Sequence, residues 1–157
     1  MKQHRYSVNM EWTGNLGKGT AGYSEFSRAH KISASHKLHD ILGSSDPAFR
    51  GEPSCYNPEE LLVSSISSCH MLWYLHLCAV NKIIVINYTD SATGVMEEDI
   101  NGSGKFKEVS LYPLVKVEKR EMIQKAYELH EEANKMCFIA NSCNFQITHH
   151  PEIDSLD

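Results

Sequence analysis

The sequence predicts an α+β fold arranged as one domain over residues 1–157. Three observations carry this reading. The first 56 residues are short alternating segments broken by glycine and proline. A long apolar segment with a strong helix-start signal follows at Asn57. Two β-branched runs, a second amphipathic helix and one more short strand complete the chain. Strands and helices come in blocks rather than in βαβ alternation, which argues against a parallel doubly wound sheet. No internal repeat, low-complexity tract or linker divides the 157 residues.

The elements follow in order. "YSVNMEW" alternates in character and reads as a strand, and the glycine-rich "TGNLGKGTAGY" reads as a hairpin turn without the spacing of a phosphate-binding loop. "GSSDPAFRGEPSCYNP" is rich in turn formers and reads as irregular. Asn57 is then an N-cap, Pro58 suits the first helical position, and Glu59 and Glu60 complement the positive helix end. This helix should run to about Asn81. Leu62, Ile66, Cys69, Trp73, His76 and Val80 form one stripe at helical spacing, and Leu61, Leu72, Leu75 and Ala79 form a second. A helix this apolar on two sides is central, and more than its own subunit would cover it. "KIIVINYTDSATGVM" and "FKEVSLYPLVKVE" read as an antiparallel hairpin, with Pro113 implying an edge or a bulge. "REMIQKAYELHEEANKM" reads as the second helix, buried along Met122, Ala126, Leu129, Ala133 and Met136, and "FQITHH" as a last strand.

Composition excludes several functions. The net charge is −5 and the basic residues form no patch, so a nucleic-acid groove is not expected. No apolar run reaches the ~18 residues of a membrane span. "MKQHRYSVNMEW" lacks the apolar centre of a signal peptide, and a cytoplasmic protein is the expectation. In that reducing setting the five cysteines, Cys55, Cys69, Cys78, Cys137 and Cys143, are an odd number with no C-x-x-C pair. Any chemistry at them would run through a thiolate or a transient disulfide.

A free cysteine ordinarily packs as a small apolar side chain, and Cys78, set among leucines, fits that description. Cys55 lies in a loop and carries no signal. Cys69 differs, because "SSISSCH" lines its approach with small hydroxyl residues that leave room for a ligand or another backbone. Cys137 directly follows the second helix, where a thiol can move. A thiol on a stable helix and one at a helix end make a plausible peroxidatic and resolving pair, the first becoming a sulfenic acid and the second condensing with it. Metal binding is the rival: Cys69, His70, His76, Cys137, His149 and His150 offer ligand chemistry. The spacings of known metal motifs are missing, however, and His70 and His76 lie about 240° apart around a helix. Neither metal nor cofactor is expected, and His149 and His150 read as a solvated strand end.

The residues resemble a known family at this point. "NPEELL…SSCHMLWYL" resembles the helix signature of the OsmC/Ohr thiol peroxidases. "EEANKMCFIANS" resembles that family's second cysteine segment and "EWTGNLGKGTAGY" its N-terminal hairpin. The order of elements agrees over nearly the whole chain. The resemblance implies an OsmC-like fold, antiparallel sheets around a long central helix, and an intertwined homodimer with sites at the subunit interface. It also implies reduction of organic hydroperoxides, or of hydrogen peroxide, with a dithiol reductant. By position, Cys69 would be the peroxidatic cysteine and Cys137 the resolving one. Glu59 would match the acidic residue that orients a catalytic arginine. The hairpin offers Lys18 and no arginine, so Arg50 in the loop before Asn57 is the candidate. Glu59 and Cys69 lie about 15 Å apart along one helix, so a bridging arginine or a second subunit must join them.

Two departures stand out. Phe138 follows the second cysteine where relatives often carry proline, and His70 follows the first where they often carry phenylalanine. Met71, Trp73 and Phe138 are candidates for an apolar substrate wall with His70 as a polar part of it; ordinary core packing is the other account of these side chains. The competing function is a non-catalytic small-molecule or thiol-ligand binding protein on the same scaffold.

Overall fold

The structure is a computed structural model and describes residues 2–157. The chain divides into two compact units, one ending at Leu61 and the other running Leu62–Asp157.

In the first unit, β1 (Asn9–Trp12), β2 (His30–Ser33) and β3 (Ile41–Gly43) form an antiparallel sheet in that order. The glycine-rich stretch opens a long connection over residues 13–29 rather than a tight turn. The Asn15 side chain organises its start by accepting from the backbone N–H groups of Gly17 and Gly19 at 2.9 and 3.0 Å. Gly17 has a φ of 101°, a conformation in which a Cβ would be strained. Further on, the Trp12 indole N–H donates to the Ser27 carbonyl, and its ring meets Phe26 edge to face. A 3₁₀ turn over Pro47–Phe49 is capped by the Asp46 carboxylate, and the backbone leaves it through Arg50 at φ 65°.

The first helix, α1 (Pro58–Val80), starts where the sequence places it. The Asn57 side chain accepts from the Glu60 N–H at 2.8 Å, while the Glu60 carboxylate accepts from the Asn57 N–H at 3.1 Å. This reciprocal capping box satisfies two donors that a helix start otherwise leaves open. The side chain of Asn81 closes the other end by donating to the Leu77 carbonyl. By length and composition α1 could cross a membrane, although serines, glutamates and histidines interrupt its apolar run. Its buried line packs into the core clusters of the second unit.

That line is not either of the stripes read from the sequence. It consists of Ile66, His70, Tyr74 and Cys78, whereas Leu72 and Val80 are exposed. Apolarity pointed to the leucines. Two of the four residues inside are instead a histidine and a tyrosine, whose rings pack against other aromatic rings.

The second unit has two three-stranded sheets: β4 (Val85–Asp90), β7 (Pro113–Val117) and β9 (Glu152–Ser155), and β5 (Thr93–Glu98), β6 (Gly104–Leu111) and β8 (Gln146–His149). The anticipated single hairpin is therefore four strands. The chain breaks at Ser91 and at Tyr112, so β5 pairs with β6 while β4 pairs with β7 in the other sheet. Pro113 lies neither at an edge nor at a bulge: it opens β7, the middle strand of its sheet, where a first strand residue tolerates the missing N–H. Helix α2 (Ile123–Met136) buries Ala126, Leu129, His130 and Ala133, and Met136 is exposed instead of buried. One cluster joins Tyr74 and Cys78 of α1 to Ala126, Leu129 and Ala133 of α2 and to Val115 and Val117. A second gathers Ile66, Val109 and Leu111. The fold is α+β with a long central helix, as the sequence predicts.

Candidate functional site

The central fact of the site is the meeting of Cys69 and Cys137. Cys69 sits midway along α1 and is half-buried. Cys137 is the C-cap residue of α2, turned into an extended backbone conformation, and only 1% exposed. Burial is the largest cause pushing the Cys137 thiol up to about 11, and the Cys69 side chain beside it pushes in the same sense. The Ala140 N–H, at the start of a short 3₁₀ turn, donates to Cys137 Sγ at 3.4 Å and works against that rise. The sequence order alone does not bring residues 69 and 137 together; the packing of α2 on α1 does.

An aromatic wall stands next to the pair. Trp73 meets Phe138 edge to face with ring centroids 5.6 Å apart, and meets His76 in the same manner at 5.8 Å. Leu72, Trp73 and His76 line a mainly apolar cavity of about 240 Å³. These residues continue from Cys69 at steps of three and four, the spacing of one helix face. Met71 does not join them. With Ser64, Ser67, Ser68 and Tyr88 it lines a different cavity of about 420 Å³, where the Ser67 hydroxyl bonds to Asp90.

His70 is not a pocket wall. It is 1% exposed, and its Nε2 lies 3.0 Å from Nδ1 of His130, which is fully buried. Nor is His149 a solvated strand end: its ring is 5.5 Å from that of His70 and 6.3 Å from that of His130. His150 is exposed and stacks on Tyr112. Desolvation holds His70 down at about 4 and His130 at about 3, with neighbouring imidazoles adding to the effect. Both rings are neutral at pH 7. Among the described residues, no group of three or more His, Cys, Asp or Glu side chains is arranged to hold a metal ion.

Glu59 lies in the first turn of α1, and its Oε2 is buried without a hydrogen-bond partner. Arg50 is exposed, and no ion pair joins it to Glu59 among the described residues. The sequence reading overlooked Arg28. This arginine is half-buried, with its guanidinium 4.4 Å from the Tyr23 ring centroid and 4.2 Å from that of Phe26. It donates to the Phe26 and Tyr23 carbonyls at 2.6 and 2.8 Å. The available signal was the aromatic pair two and five residues before it, which is how an arginine is held by cation–π contact. Cys78 is buried, as the sequence suggests, and the Cys143 thiol donates to the carbonyl of Ile139 in its own turn.

Comparison with solved structures shows the same fold in several proteins. An OsmC-like protein of unknown function from Vibrio cholerae is 27% identical, with a TM-score of 0.81 over 96% of this chain and 100% of the other. An organic hydroperoxide resistance protein from Elizabethkingia anophelis is 17% identical, with a TM-score of 0.68 over 98% of this chain and 99% of the other. One from Legionella pneumophila, described as an organic hydroperoxide resistance protein OsmC, is 14% identical, with a TM-score of 0.64 over 97% and 99%. No curated protein matches the chain. Residues 51–152, which hold both helices and both central cysteines, match the family model described as OsmC-like protein. The chain belongs to the OsmC-like protein family.

Proposed function

We propose that this protein is a cysteine-based peroxidase that reduces organic hydroperoxides, working as a cytoplasmic homodimer recycled by a dithiol reductant. The observation that carries the reading is the asymmetric thiol pair: half-buried Cys69 beside sealed Cys137. A hydroperoxide can reach only the first of these without movement of the chain. The Cys69 thiolate attacks the terminal peroxide oxygen, the O–O bond breaks, and the departing alkoxide takes a proton and leaves as the alcohol. Cys69 is then a sulfenic acid. The Cys137 thiolate attacks that sulfur, the S–S bond forms, the S–O bond breaks, and hydroxide leaves as water after taking a proton. An external dithiol then reduces the disulfide by exchange.

The raised Cys137 thiol suits the second role, because a protonated thiol does not compete for peroxide. The apolar cavity at Leu72, Trp73 and His76 favours an organic substrate over hydrogen peroxide. Glu59, with its unpartnered buried oxygen, suits a carboxylate that orients an arginine, and Arg50 and Arg28 are the two arginines to test. Exposed apolar side chains in the second unit, among them Leu72, Ile84, Ile86 and Leu114, support a covering second copy. Two relatives of this fold carry names of hydroperoxide resistance. The test is consumption of cumene hydroperoxide and of hydrogen peroxide with dithiothreitol as reductant. Turnover of the organic peroxide with preference over hydrogen peroxide is the expected result. No consumption of either by the reduced protein would overturn the reading, in favour of a ligand-binding member.

A further inference from the structure

Two helices carry the thiols, and three kinds of contact hold them together. The apolar contact uses Ala126, Leu129 and Ala133 against Tyr74 and Cys78. Such contacts are non-directional, and of the three α2 residues the two alanines offer little side chain to lock one rotation of the helix. Tyr74 stacks on the His130 ring at 3.8 Å between centroids, which fixes spacing better than rotation. Apart from the thiol pair itself, the hydrogen bond between His70 Nε2 and His130 Nδ1 is the directional contact.

Its position matters. His70 directly follows Cys69 on α1. His130 and Cys137 lie seven residues apart, within about 20° of the same line on a helix. Rolling or sliding α2 would therefore carry His130 and Cys137 off their partners together. The far nitrogens, His70 Nδ1 and His130 Nε2, are buried with no hydrogen-bond partner. The ring-to-ring bond is thus the one hydrogen bond each of these imidazoles makes among the described residues, and a slip costs both rings that bond in an interior without water. A buried polar contact of this kind disfavours alternative registers even where it adds little net stability.

We propose that the His70–His130 hydrogen bond is a positioning contact that sets Cys137 against Cys69 for disulfide formation. The inference rests on the reading of these cysteines as the redox pair. It does not require that a hydroperoxide be the oxidant. The other groups facing the pair are Tyr74 of α1 and His149 of β8, the latter flanked by Glu131 and His150.

The test uses diamide, a diazene that takes two electrons and the two thiol protons, becomes the hydrazine, and leaves a disulfide. Fully reduced protein is oxidised with diamide, and the Cys69–Cys137 bond is followed by mass spectrometry after thiol alkylation. His130→Phe keeps the ring stacked on Tyr74 and removes the nitrogen. The double variant His70→Phe/His130→Phe removes both polar partners, so the folded state carries no orphaned nitrogen and its melting point recovers. A purely structural role predicts that disulfide formation recovers with it. The positioning role predicts that the double variant still forms the bond about tenfold more slowly, the fold-change for losing one interior hydrogen bond. His130→Asn, whose amide can replace Nδ1, should hold the rate within about twofold of wild type on the same scale. A folded double variant that forms the disulfide at the wild-type rate overturns the proposal. So does His130→Asn if it is as slow as His130→Phe. Loss of hydroperoxide turnover with an unchanged pattern in diamide would sink the peroxidase reading and leave this one standing.

Discussion

Cys69 with Cys137 and His70 with His130 are two side-chain pairs that join the same two helices, and burial acts on both. It pushes the Cys137 thiol up to about 11 and pulls the two imidazoles down to about 4 and about 3, so the uncharged form prevails in each case. The consequences differ because the seals differ. In the thiol pair Cys69 remains half-open to solvent, and in the reaction proposed above Cys137 would wait, protonated, for the product formed there. In the imidazole pair neither ring is more than 1% exposed, and the ionisation that usually makes histidine useful is suppressed. Desolvation yields latent reactivity where one partner meets solvent and fixed geometry where neither does.

The comparison can be broken most severely at the open thiol. Cys69→Ser should lower hydroperoxide consumption by more than about a hundredfold, as removal of a covalent nucleophile does. Cys137→Ser should keep a single turnover and accumulate a sulfenic acid that dimedone traps, seen as an adduct mass absent from wild type. Loss of the first turnover in Cys137→Ser would mean that the two thiols do not divide the roles as proposed.

Acid should strain the sealed pair next. The folded rings have pKa values below the ordinary 6.5, so below that pH the unfolded chain binds protons that the folded chain refuses. Stability is complete above about pH 6.5 and declines as pH falls toward 4, by roughly 1–3 kcal/mol per pH unit for the pair. Urea melts at pH 7 and pH 5 measure this, and the slope should flatten in His70→Phe/His130→Phe. Equal slopes in the two proteins would remove the imidazoles as its cause.

At neutral pH, His130→Phe alone should cost about 1–3 kcal/mol by orphaning the His70 nitrogen, with most of that returned in the double variant. The smallest effect belongs to the helix that presents Cys69. Asn57→Ala opens the capping box and should cost about 1 kcal/mol without altering the thiol pair. An unchanged melting point in Asn57→Ala would show that tertiary contacts, not the cap, hold this helix start.

Much of the candidate site was legible where the signal is local. Asn57, Pro58 and the two glutamates mark the start of α1, and Cys69 and Cys137 stand out by their neighbours in the sequence. What escaped depends on distant partners. His70 and His130 bond across 60 residues, and a sequence read by apolarity ranks Leu72 inside ahead of a histidine. The strands β2, β3 and β9 are four residues or fewer, too short for alternation to register. The break at Ser91 that sends β4 and β5 to different sheets has no stronger marker than a polar pair within a strand-like run. Arg28 was missed because its aromatic clamp lies outside any family motif.

The last strands carry a further consequence. Both β8 and β9 pair in parallel with strands more than thirty residues earlier, one in each sheet of the second unit. Residues 146–155 therefore finish both sheets at once. During synthesis, β6 and β7 must each wait with one side unpaired until this segment emerges from the ribosome, and open strand sides recruit other chains. His149 arrives on the same segment, so the aromatic interior also closes last. The interval before that closure is when a nascent chain is most exposed to aggregation, and chaperone dependence should concentrate there.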